Sequence, residues 1–94
     1  MYSKPTVANV TLTSAATEYS YAIPANTKKI LAKARGSNAL RFAFVSGETT
    51  TNYVSIAAGG QFSLDSVYLR GQTLYVQCPG AAGEVLEILT FQDQ

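Results

Sequence analysis

The stretch that decides the fold is residues 73–91, TLYVQCPGAAGEVLEILTF. Its first half alternates: Leu74, Val76 and Cys78 share one parity, while Thr73, Tyr75 and Gln77 share the other. Successive side chains of a strand point to opposite faces, so this pattern is a strand with one apolar face. Pro79-Gly80-Ala81-Ala82-Gly83 then turns the chain, because proline withholds an amide and glycine reaches backbone conformations closed to other residues. The second half, Glu84 to Phe91, is apolar at both parities, with Leu86 and Ile88 on one side and Val85, Leu89 and Phe91 on the other. In a two-sheet sandwich the core covers only one face of a strand, so the other face of this one needs a cover of its own.

The same alternation runs back to the start of the chain. Thr6 to Thr13 sets Ala8, Val10 and Leu12 on one face, and a Ser14-Ala15-Ala16-Thr17 turn leads to Tyr19, Tyr21 and Ile23. Pro24-Ala25-Asn26-Thr27 breaks the run. Lys29 to Arg35 alternates again around Ile30, Ala32 and Ala34, with no capping box before it, so it reads as a strand and not a helix. Gly36-Ser37-Asn38-Ala39 turns into Leu40 to Val45, where Leu40, Phe42 and Phe44 share a face. A polar loop, Ser46 to Asn52, precedes a short strand at Tyr53 to Ile56, and Ala57-Ala58-Gly59-Gly60 connects it to Gln61 to Arg70. The apolar parity of that last segment switches at Asp65-Ser66, which predicts a bulge or break.

About eight short strands and no helix predict an all-β fold: a two-sheet antiparallel β-sandwich or a jelly-roll-like barrel. The 94 residues fit one domain, with residues 1–5 expected as a loose arm and residues 92–94 as a frayed tail. Val10, Leu12, Ile30, Ala32, Leu40, Phe42, Phe44, Leu74, Val76 and Cys78 are the expected core.

Composition narrows the function. There is no histidine, which removes the commonest general base, metal ligand and nucleophile partner. Of the six acids only Glu84 and Glu87 are close in sequence, and their opposite parity aims them at opposite faces. No calcium loop and no phosphate-binding glycine motif occurs. The single cysteine, Cys78, shares the parity of Leu74 and Val76 and reads as a structural thiol. The expectation is a protein with no catalytic residues, no metal and no cofactor, hence not an enzyme. A net charge of +1 argues against a dedicated nucleic-acid binder. No apolar run approaches a membrane span, and the N-terminal residues lack a signal-peptide pattern, so synthesis in a cytoplasm is expected. The charged fraction, 14%, is low against the roughly 25% usual in soluble domains, which suits a surface covered by neighbours.

One charge feature stands apart. Lys28, Lys29, Lys33, Arg35 and Arg41 fall within fourteen positions with no acid among them. If the strands around Ala34 and Phe42 form a hairpin with both residues inward, Lys29, Lys33, Arg35 and Arg41 make a basic stripe on its outer face. Such a stripe serves either as a solvated, edge-protecting face or as a dock for an acidic partner surface. Val85, Leu89 and Phe91, the uncovered side of the closing strand, are the candidate oligomer interface.

Read end to end, TSAATEYSYAIPANTKKILAKAR, NALRFAF, VSIAAGGQFSLD and LRGQTLYVQCPGAAGEVLEIL resemble the small virion proteins of tailed bacteriophages. The shared features are an Ile-Pro-Ala turn before a basic strand, an Ala-Gly-Gly turn before an aromatic residue, and Gly-Gln-Thr-Leu-Tyr opening the penultimate strand. The resemblance implies a capsid decoration, or cement, protein in the virion, often a homotrimer, bound to the major capsid protein or another virion protein. The alternative within that resemblance is a tail or fibre module that binds a host-surface glycan.

Overall fold

The computed structural model describes the backbone of residues 2–65 and 72–93, and the side chains of residues 5–64 and 72–92. Its strands are β1 (Tyr2–Leu12), β2 (Tyr19–Ala22), β3 (Thr27–Ala34), β4 (Leu40–Ala43), β5 (Val54–Ile56), β6 (Gln61–Asp65), β7 (Thr73–Gln77) and β8 (Glu84–Asp93). One 3₁₀ turn, Glu48–Thr50, lies in the polar loop between β4 and β5. Each strand falls where alternation predicted one.

Pairing nests from the outside inward: β1 with β8, β2 with β7, β3 with β6, β4 with β5, all antiparallel. The chain is thus one long hairpin whose paired ribbon wraps on itself. Two further antiparallel contacts, β3 with β8 and β4 with β7, close the wrap. The result is a first sheet in the order β1-β8-β3-β6 facing a second sheet in the order β2-β7-β4-β5. This is the jelly-roll form of the antiparallel sandwich.

The core lies between the sheets. Leu12, Ile30, Ala32, Ala34, Leu40, Leu74, Val76, Cys78 and Leu86 are wholly enclosed, with Ile23, Phe42, Ile56 and Ile88 almost so. Of the residues expected there, Val10 and Phe44 are half-buried and pack against the cluster from its rim. Buried Thr27 is three positions from buried Ile30, which strict alternation forbids. The register of β3 against β8 shifts between Thr27 and Lys29, and that bulge resets the parity.

Three expectations differ from the structure. Residues Tyr2 to Pro5 are not a loose arm but the start of β1, with Lys4 opposite Gln92 and Pro5 opposite Phe91. Pairing with β8 satisfies backbone groups that an arm would leave to water, and Pro5 sits on an edge strand, where a missing amide is tolerated. For the same reason the tail is strand as far as Asp93. Thirdly, β3 and β4 do not form a hairpin. Gly36 to Ala39 carries the chain from the first sheet to the second, and among the described residues β4 and β5 are the only consecutive strands that pair with each other. The expected break at Asp65-Ser66 adjoins the end of β6, and Ser66 lies outside the described residues.

Candidate functional site

The two sheets treat their outer faces differently. On the second sheet, Phe42 and Val76 point inward as a cross-strand pair, so their neighbours Ala43 and Gln77 point outward. Both are nevertheless buried, because the 3₁₀ turn packs over β4 and β7. Thr49 of that turn is fully enclosed and accepts a 2.8 Å hydrogen bond from Gln77 Nε2. The Thr49 hydroxyl donates in turn to Glu18, and the Gly47 amide donates to the same carboxylate at 3.0 Å. Gly47 adopts φ +87°, a conformation that favours glycine. The polar loop is thereby latched onto the sheet by one carboxylate.

Donation from the Thr49 hydroxyl holds the Glu18 carboxyl below its ordinary value, against an opposing push from burial and with help from the Gly47 amide. A depressed carboxyl contributes stability above its unfolded pKa, and that contribution is lost as pH falls through the folded value. Glu18→Gln is therefore expected to cost about 1 kcal/mol at pH 7. The gap in Tm between the two proteins should narrow once the pH drops below 4.5, the ordinary value of the group. A gap of constant size down to pH 3 would show that the carboxylate charge does not hold the loop.

The outer face of the first sheet has no such cover among the described residues. Its side chains form rows across the strands. Val7, Leu89, Leu31 and Ser63 make one row, with Val7 71% exposed and the two leucines half-buried. Pro5, Phe91 and Lys29 make the next row on one side. Asn9, Glu87, Lys33 and Gln61 make the next on the other. A cavity of about 310 Å³ opens over these rows, its apolar floor formed by Leu31 and Leu89 and its rim by Val7, Asn9, Lys33, Arg35 and Glu87.

The charges on this face are partly spoken for. Arg35 Nε donates to Glu87 at 2.6 Å, and Arg35 also reaches Asn9 Oδ1 at 3.3 Å. As an exposed pair, Arg35–Glu87 contributes under about 1 kcal/mol, so it orders the rim more than it stabilises the fold. Lys29 lies 5.6 Å from the centroid of Phe91, a cation–π distance, and stands opposite Asp65 in the ladder. Lys33 is exposed, with no ion pair among the described residues.

Val85, Leu89 and Phe91 all lie on this outer face, each half-buried. Lys29, Lys33 and Arg35 lie there too, so the expected interface and most of the expected basic stripe are one surface. Arg41 does not join them. Because β4 belongs to the other sheet, Arg41 projects from the opposite side of the molecule, its guanidinium 4.3 Å from the centroid of Tyr53. The Glu18–Thr49–Gln77 latch carries no signal in the sequence, since its successive members are 28 to 31 positions apart and follow no period.

No family model matches the chain, and no curated protein matches it. Two solved structures share the architecture. A de novo designed double-stranded β-helix superposes with a TM-score of 0.56 over 96% of this chain and 100% of its own, at 11% identity. A chain of the Bacillus endospore appendages, described as disulfide-linked pili, superposes with a TM-score of 0.50 over 97% of this chain and 87% of its own, at 19% identity. At these identities the likeness concerns the fold alone.

Proposed function

We propose that this chain is a non-enzymatic structural protein that acts by docking into a larger assembly, and more specifically a decoration protein of a tailed-phage virion. The observation that carries the reading is the outer face of the first sheet, where an apolar row flanked by cations is left without a cover among the described residues. The second sheet, built from the same chain, is covered by its own loop. Burying such a face on a shell stabilises the shell by mass action, since the ligand binds the assembled form and not its parts. The resemblance to phage virion proteins adds the particle and the trimer.

The pilus protein offers a second structural precedent, but its disulfide linkage has no counterpart in the surface of this chain, whose one cysteine, Cys78, is enclosed. Glycan binding finds less support. Tyr53 is the exposed aromatic among the described side chains, and Arg41 already stacks on its ring.

Mass spectrometry of purified virions tests the proposal. The protein should be present at a copy number in fixed proportion to the major shell protein, and should be released by variants that add charge at Leu89. Absence from particles, or presence in only a few copies, overturns the decoration reading.

A further inference from the structure

Four strands lie at sheet edges. Among the described residues β2, β5 and β6 span 4, 3 and 5 positions, whereas β1 spans 11. The backbone groups of β1 divide by alternation. The Arg35 amide donates to the Val85 carbonyl, so Val85 faces β3, and its neighbours Glu84 and Leu86 face β1. Leu86 stands opposite Val10 and Ile88 opposite Ala8, so Val10 and Ala8 direct their N–H and C=O groups to β8. The Leu12 carbonyl does the same, accepting from the Gly83 amide at 2.7 Å. The N–H and C=O groups of Val7, Asn9 and Thr11 therefore point away from β8, where no described strand meets them. Pro5 falls in the same set and has no N–H to offer. Edges of this length are ordinarily blunted by charge, proline or bulges. Lys4 and Pro5 guard only the start of β1. Beyond them Thr6 to Leu12, TVANVTL, holds no charge, proline or glycine, and Thr6, Val7, Val10 and Thr11 are β-branched.

We infer that β1 pairs with β1 of a second copy of this chain, antiparallel across a two-fold axis at Asn9, joining two first sheets into one. In this register Asn9 meets Asn9 of the second copy, and Val7 meets its Thr11. Every outward N–H then has a C=O opposite it. A shift of the register one way sets Pro5 against Thr11 and leaves a carbonyl without a donor. A shift the other way sets Val7 against Thr13, beyond the end of β1. The side chains favour the same register. Asn9 Oδ1 accepts from Arg35 at 3.3 Å and its amide keeps N–H donors for its own copy, while Glu87 neutralises each Arg35. On the core side, half-buried Ala8 and Val10 pack against the rim of the cluster. Each meets the other across the junction, which covers both. The contact occupies the edge of the first sheet and leaves its outer face free, so it goes beyond the function proposed above and does not depend on it. It joins copies in twos, and a threefold contact of the kind the resemblance implies belongs to another surface.

Cysteine cross-linking of the whole chain, with sedimentation equilibrium of the wild type, decides it. Val7, Asn9 and Thr11 are exposed and Cys78 is enclosed, so a thiol placed at any of the three reacts without interference. Circular dichroism confirms that each variant folds. Asn9→Cys sets two thiols opposite each other at a Cα separation of about 5.5 Å, within disulfide reach. Under mild oxidant it should cross-link about tenfold faster than Val7→Cys or Thr11→Cys alone, whose thiols this register holds roughly 13 Å apart. An equal mixture of Val7→Cys and Thr11→Cys should recover fast cross-linking, between unlike chains. The wild type should associate beyond 10.0 kDa at micromolar concentration. Adding Leu89→Asp, a change on the outer face, should leave the cross-linking rate of Asn9→Cys as it was. Fast cross-linking of Val7→Cys or Thr11→Cys alone overturns the inference, because the register is then a different one. Loss of the Asn9→Cys cross-link on adding Leu89→Asp also overturns it, since the outer face and not the edge then joins the copies. A wild-type chain that stays monomeric overturns it too, and binding of that monomer to particles leaves the proposed function standing.

Discussion

Replacing Phe42 by Ala is expected to lower the unfolding free energy by about 3–5 kcal/mol, against a total of roughly 5–15 for a domain of this size. The ring is 5% exposed and faces the core from β4. It lies parallel to the ring of Phe62, 4.1 Å between centroids and 13° between planes, and meets Phe44 edge-on at 6.0 Å. Phe62 belongs to β6, so this stack joins the second sheet to the first. Truncation thus leaves a cavity and also removes an aromatic contact between the two layers. The midpoint of urea unfolding reads the effect directly. An unchanged midpoint would mean that the β4 face is wrongly assigned.

The second large effect separates two adjacent residues. Ile88 and Leu89 follow one another in β8, with similar side chains on opposite faces of the first sheet. Ile88 is 1% exposed and its truncation to Ala should cost about 2–5 kcal/mol. Leu89 is half-buried on the outer face, and the same truncation should cost about 1 kcal/mol, in proportion to the smaller area it hides. Docking on the particle should respond in the reverse order. Leu89→Ala should weaken it by about tenfold if the outer face is an interface, since an apolar side chain at the centre of a docking surface is worth more than about 1 kcal/mol. Urea unfolding and particle binding of the two variants, measured side by side, check both halves. Equal losses of stability would place Leu89 in the protomer's own core.

This contrast was legible in the sequence because period 2 reports which face a residue occupies. It reported correctly for Leu86, Ile88 and Leu89, and it marked β8 as apolar on both sides. What it does not report is which strands are neighbours. Gly36-Ser37-Asn38 announces that the chain changes direction, and the same signal serves a hairpin and a crossing between sheets. Parity alone therefore sets Arg41 beside Lys33, whereas Arg41 projects from the other sheet. The strand at residues 2–5 is hidden for a related reason: its pairing partner is β8, remote in sequence, and no local pattern in Tyr2 to Pro5 reveals it. The Glu18 latch depends likewise on three segments meeting in space.

The nesting of the strands also fixes when the fold can close. β1 takes its place in the sheet through the remote strand β8, with Tyr2 opposite Asp93 and Leu12 opposite Glu84. A nascent chain on the ribosome therefore holds β1 without its mate until β8 has been made, and β3 as well lacks one of its two neighbours. Closure waits for β8, and contacts between such remote segments form on the slow timescale of all-β proteins, roughly milliseconds to seconds. During that interval the unmatched edge is open to other nascent chains, and Pro5 with Lys4 beside it places a ladder-breaker and a charge on that edge.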